Sequence, residues 1–165
     1  MKITILYVSQ TGTTEKAAGL IREGILSTGG FDVKLMNICS EGSLDIEFLK
    51  ESAAVIIGTP TYAANMAWQL KKWFDTDRSV SLAGKLGAAF STANFVHGGP
   101  DIAIADVLHH MLVKGMVVYS SGGGCGAPII HLGPVAISNE FDKSRELFVI
   151  FGKRIAEKAT ELFTN

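Results

Sequence analysis

Four hydroxyl side chains and a glycine stand within six positions near the amino terminus, in Ser9-Gln10-Thr11-Gly12-Thr13-Thr14. A helical pattern begins at the end of this cluster, and the start of a helix presents unpaired backbone N–H groups and the positive end of a dipole, which together favour an anion. The cluster suits a phosphate, although Ser and Thr in such places also serve as plain helix caps. The spacing GxxxxGK[ST] of a P-loop is absent, as is the GxGxxG of a dinucleotide fold, which leaves a mononucleotide. Two further turns could complete such a site. Pro60-Thr61-Tyr62-Ala63-Ala64-Asn65 sets an aromatic ring beside small residues that let a flat ligand approach the backbone, with Asn65 placed to cap a helix starting near Met66. Ser91-Thr92-Ala93-Asn94-Phe95, followed by Gly98 and Gly99, again puts polar groups around an aromatic. Two turns of this kind could stack on a planar heterocycle and hydrogen-bond its edge.

The elements that must hold these turns alternate strictly. Residues 2 to 8, 31 to 38, 53 to 59, 85 to 91 and 115 to 119 read as strands, and residues 13 to 27, 102 to 112 and 142 to 162 as helices, with another helix marked by Met66, Leu70, Trp73 and Phe74 on one face. Alternation of this kind calls for an α/β fold, a three-layer sandwich in which a five-stranded parallel sheet is covered by helices on both faces. Ligands of such sheets bind beyond the carboxyl ends of the strands, where all three turns fall. Residues 120 to 139 form the one long glycine-rich loop, of a length usually reserved for function.

With 165 residues and 47% apolar composition, one domain spanning residues 1–165 is expected. The formal net charge of −1 is spread along the chain, which argues against nucleic acid as a partner. No apolar run reaches the roughly 20 residues of a membrane span, and residues 1 to 8 read as a strand rather than a signal peptide, so a cytoplasmic location is expected. Cys39 and Cys125 lie outside any disulfide or metal-ligand spacing, and no metal is expected.

The first turn, read as Tyr7-Val8-Ser9-Gln10-Thr11-Gly12-Thr13-Thr14-Glu15, resembles the flavodoxin phosphate loop [ST]-x-T-G-x-T-E. Gly58 to Met66 and Lys85 to Thr92 look like the corresponding segments of the WrbA-type NAD(P)H:quinone oxidoreductases. The resemblance spans essentially the whole chain and implies a flavodoxin-like sheet order 2-1-3-4-5 and bound flavin mononucleotide, FMN. It implies that the first turn holds the phosphate, that residues 60 to 65 border the flavin N5 edge, and that residues 91 to 95 with Gly98 and Gly99 line the pyrimidine side. One departure stands out: Tyr62-Ala63-Ala64-Asn65 replaces the Arg-Phe-Gly-Asn of the WrbA pattern. Alanine resists positive φ, so a backbone rearrangement near N5 of the kind carriers use to favour the semiquinone would be opposed by about 1 kcal/mol or more.

His131, in the long loop, is the candidate catalytic residue, able to orient a quinone or donate a proton. Trp68 falls off the apolar stripe of its helix and should face outward, as a contact for a homo-oligomer. On this reading the protein is an oxidoreductase that takes hydride from NAD(P)H onto FMN and reduces a quinone or similar small acceptor. A flavodoxin-type carrier serving a redox partner protein is the alternative, and a regulatory FMN-binding module a second. The near-neutral charge speaks for the enzyme, because carriers of this family tend to be strongly acidic. A phospho-receiver is excluded because Ser9 and Thr59 to Thr61 occupy the places of its carboxylates, and a low-molecular-weight phosphatase because no Cys-x5-Arg loop follows the first strand.

Overall fold

A computed structural model of the chain describes residues 1–164. Its elements follow the chain as β1 (Lys2–Tyr7), α1 (Thr13–Leu26), β2 (Asp32–Asn37), α2 (Ile46–Glu51), β3 (Ala54–Pro60), α3 (Trp68–Thr76), β4 (Leu86–Ala93), α4 (Pro100–Val113), β5 (Val117–Val118), β6 (Val135–Ile137) and α5 (Arg145–Phe163). The sheet is parallel in every pairing, as the alternation predicts, and its order β2-β1-β3-β4-β5 is the one the family resemblance implies.

Period-two alternation explains why both faces are covered. Ile3, Ile5 and Tyr7 of β1 join Ile56 of β3 and Phe90 of β4 in one apolar layer with Ile21 of α1 and Phe148 and Phe151 of α5. Leu6, Val55 and Ile57 point the other way, to Leu70 and Phe74 of α3 and Ile104 and Val107 of α4. Helices α1 and α5 approach unusually closely. A Cβ on Gly24 would stand 2.0 Å from the carbonyl oxygen of Val149, and one on Gly152 would stand 2.2 Å from that of Ile21. Each glycine thus admits the other helix's backbone.

The long loop departs from the simple expectation. The fifth position of the sheet is shared by two short strands, since β5 pairs with Leu86 and Gly87 while β6 pairs with Ser91 to Ala93 on the same strand. Residues 119 to 134 are looped out between them. The loop returns at Gly133, where a Cβ would meet the Ala89 carbonyl oxygen at 2.1 Å. Arg154 of α5 pins it, donating hydrogen bonds to Ser121 Oγ and to the carbonyls of Cys125, Gly126, Ala127 and Pro128 at 2.9 to 3.3 Å. Among the described residues, no helix is long and apolar enough to cross a membrane, and no three His, Cys, Asp or Glu side chains converge as metal ligands.

Candidate functional site

At the carboxyl edge of the sheet, three turns enclose a cleft of about 180 Å³. The first supplies Ser9, Gln10, Thr11, Thr13 and Thr14, the second Pro60, Thr61 and Tyr62, and the third Thr92, Ala93 and Asn94. Of the remaining expected residues, Gly12 takes a left-handed conformation with φ 92 as the residue preceding α1. Ser91 is buried within β4, its hydroxyl donating to the Pro100 carbonyl at 3.2 Å and so holding the start of α4. Phe95, Gly98 and Gly99 form the outer loop past β4, where the Gly98 N–H donates to the Phe95 carbonyl.

The first turn is built for more than capping. Neither Thr11 nor Thr13 caps α1, and Gly12 offers no side chain to do so. Ser9 Oγ instead accepts from the N–H groups of Gly12 at 3.2 Å and Glu15 at 3.4 Å. The N–H groups of Thr11, Thr13 and Thr14 have no acceptor among the described residues, so the helix start keeps donors for an anion. The buried Thr14 hydroxyl meets that of Thr92 at 2.9 Å, which ties the first turn of α1 to the end of β4. Behind the turn, burial first and then the Glu15 carboxylate push the Tyr7 hydroxyl up to about 12.

The second turn corrects two expectations. Asn65 does not cap a helix at Met66, because α3 begins only at Trp68. It closes a hairpin with Tyr62, each N–H donating to the other's carbonyl at 3.0 Å. Thr59 Oγ1 is the group that receives the Ala67 N–H ahead of α3, at 2.9 Å. Alanine also does not keep this turn out of the left-handed region, since Ala63 and Ala64 stand at φ 50 and 57. A two-residue hairpin of type I′ takes positive φ at both central positions, and the paired hydrogen bonds of Tyr62 and Asn65 hold it there.

His131 does not reach the cleft. It is exposed, its carbonyl accepts from the Ser120 hydroxyl at 2.6 Å, and Gly133 two residues on lies against Ala89, in the middle of β4 rather than at its carboxyl end. Ser138 arrives instead: it follows β6, lines the cleft, and donates to the Ala93 carbonyl at 3.1 Å. Only a strand of three residues in the glycine-rich stretch, Val135-Ala136-Ile137, could have signalled that placement. Trp68 faces outward with 65% of its surface exposed.

The lining side chains are hydroxyls, amides, one phenol and small apolar groups, and none carries a charge. They can hold and orient a ligand by hydrogen bonds, while the chemistry has to come from what they hold. An open doubly wound sheet whose first helix start keeps free donors, flanked by turns carrying exposed aromatics, defines a mononucleotide-binding protein of the α/β class. Residues 5–98 match the family model Flavodoxin. The chain is 50% identical over 163 residues to the flavodoxin of Clostridium saccharobutylicum, covering 99% of this chain and all of that one. It is 30% identical over 143 residues to an NAD(P)H dehydrogenase (quinone) of Syntrophobacter fumaroxidans, covering 72% of this chain and 70% of that one. The fold overlays a flavodoxin, WrbA-like protein from Agrobacterium tumefaciens with a TM-score of 0.80 at 23% identity, covering 98% of both chains. The chain belongs to the flavodoxin family.

Flavodoxins are FMN proteins, and the cleft fits that group. The unclaimed donors of Thr11, Thr13 and Thr14 suit its phosphate. Thr61 Oγ1 is buried without a hydrogen-bond partner among the described residues, and Thr61 lines the cleft. A ligand polar group would satisfy an atom that is otherwise costly to bury. The cleft of about 180 Å³ is smaller than the roughly 300 Å³ at the lower end of ligand pockets, so its lining would hold only part of the group.

Proposed function

We propose that the chain is an FMN-binding electron carrier that exchanges electrons with redox partner proteins in the cytoplasm. The observation that carries this reading is the openness of the ring-flanking turns. Tyr62 is 46% and Phe95 75% exposed, so whatever stacks on them keeps an edge toward a partner. The first turn, in contrast, puts two buried hydroxyl residues, Ser9 and Thr14, in the cleft lining. FMN, when bound, supplies the storage and release of electrons. The chain's own part is to offer the phosphate the N–H groups of Thr11, Thr13 and Thr14, to offer the ligand the unpartnered Thr61 Oγ1, and to present the exposed rings of Tyr62 and Phe95. Identity along the full length of a clostridial flavodoxin supports the same reading.

A second reading, an NAD(P)H-dependent reductase of quinones, is favoured by the net charge of −1, which offers little long-range steering toward a charged protein. The similarity to a quinone dehydrogenase points the same way. An anaerobic mixing experiment with FMN-loaded protein separates the two. The carrier is expected to keep its visible absorption with NADH or NADPH alone and to bleach with dithionite. Rapid bleaching by either nicotinamide, reversed by benzoquinone, would establish the reductase instead.

A further inference from the structure

Asn37, the last residue of β2, does not line the cleft, yet its side chain holds the residue on which the phosphate loop turns. The β1–β2 ladder ends with the pair Tyr7 and Asn37, and the Ile38 N–H still donates to the Tyr7 carbonyl at 2.8 Å. Past that point the two chains part. The Asn37 carboxamide spans the gap and takes both backbone groups of Ser9: Nδ2 donates to the Ser9 carbonyl at 2.9 Å, and Oδ1 accepts from the Ser9 N–H at 3.2 Å. Oδ1 also accepts from the Cys39 N–H at 3.1 Å, and the Asn37 carbonyl accepts from the Ser43 hydroxyl. A side-chain amide thus replaces the next backbone rung. Ser9 passes the constraint forward, because its hydroxyl receives the N–H groups of Gly12 and Glu15, which bracket the free donors of Thr13 and Thr14.

We propose that Asn37 is a positioning residue for the phosphate loop: by fixing both backbone groups of Ser9 it aims the first-turn N–H groups at the phosphate. The inference rests on the FMN reading above. A carboxamide carries its donor and its acceptor on two adjacent atoms of one plane, which lets it take both backbone groups of Ser9 at once. Aspartate keeps the acceptor, loses the donor, and sets a negative charge against the Ser9 carbonyl beside a site for an anion. Alanine removes both contacts. Outer-shell groups that orient direct contacts typically matter by 10- to 100-fold in affinity at metal sites, and the lower end of that range is expected for a loop with other supports.

Riboflavin has the ring and chain of FMN without the phosphate, so it separates positioning of the phosphate loop from a general loosening of the fold. The test is titration of each flavin, followed by its fluorescence, into cofactor-free wild type, Asn37→Ala and Asn37→Asp. Asn37→Ala is expected to weaken FMN by about tenfold while leaving riboflavin within about twofold, and Asn37→Asp to weaken FMN further through its charge. Amide resonances of Gly12 and Glu15 in cofactor-free Asn37→Asp should move as well, a readout that needs no flavin and a second variant should Asn37→Ala fold poorly. An unchanged ratio of FMN to riboflavin affinity in both variants would overturn the inference and leave the FMN reading intact. Wild type that binds neither flavin would overturn both.

Discussion

Ala64 and Gly99 touch so closely that a Cβ on Gly99 would lie 2.5 Å from the Ala64 Cβ and 2.9 Å from its Cα. The turn after β3 and the loop after β4 are therefore one unit, and Gly99 at φ 81 is the residue that allows it. Gly99→Ala is expected to cost about 2 kcal/mol, from left-handed strain of roughly 1–2 kcal/mol and the forced separation of the two turns. Urea denaturation measures the loss, and FMN titration should show weaker binding as well. Adding Ala64→Gly should recover part of it, because that removes the nearer of the two obstructing atoms.

Ala63 carries the same backbone penalty without a compensating contact, being exposed. Ala63→Gly is expected to stabilise the protein by about 1 kcal/mol and to raise the melting temperature by about 2–4 °C for a chain of this size. Ala64→Gly should gain less, since the Ala64 methyl packs on Gly99. Calorimetry on the three proteins orders them.

The buried hydroxyl pair of Thr14 and Thr92 calls for a double-mutant cycle. Either Thr→Val change leaves one hydroxyl buried without its partner and is expected to cost about 1–3 kcal/mol. The double change should cost less than the sum of the two, because no unpaired hydroxyl remains. Additive losses would mean the two groups do not depend on each other.

Alkaline titration should single out two tyrosines. Tyr7 and Tyr119 are both pushed up to about 12, in each case by burial first, with Glu15 adding to the effect at Tyr7 and the Cys125 thiol at Tyr119. The fold favours the neutral phenol, so this contribution to stability is full below about pH 10, the ordinary tyrosine value. It is lost as pH rises from there through 12. Tyrosinate absorbance should rise late for these two side chains, and Tyr7→Phe should remove one late step.

Arg154 binds five acceptors of the 119–134 loop through a planar fork that lysine cannot reproduce. Arg154→Lys is expected to leave FMN affinity within about twofold, because none of its five acceptors lines the cleft, while limited proteolysis between Gly122 and Pro128 speeds up by about tenfold, a factor equal to about 1.4 kcal/mol of local opening free energy.

The strands and most of the turns that line the cleft are legible because their signals are local, whereas the sheet order follows from the family resemblance. Buried parallel strands show as continuous apolar runs, and hydroxyls clustered at a helix start show as Ser9, Thr11, Thr13 and Thr14. What escaped depends on contacts distant in sequence. The split fifth strand is visible only through its pairing with β4, so the sequence shows residues 120 to 139 as one loop and leaves hidden that Ser138, not His131, lines the cleft. The hairpin of Tyr62 and Asn65 escaped for another reason: alanine propensity argues against positive φ, and two backbone hydrogen bonds overrule it. Asn37 looks like any strand-ending amide until the positions of Ser9 N–H and C=O are known.

The glycine crossing of α1 and α5 sets an order in time. α1 carries the phosphate loop at its start, yet its packing partner across Gly24 and Gly152 is α5, far later in the sequence. During synthesis, which proceeds from the amino-terminal side, the loop emerges before α5 and waits for that support until α5 has left the ribosome. The turn that offers its donors to the phosphate is thus made well before the helix that backs it.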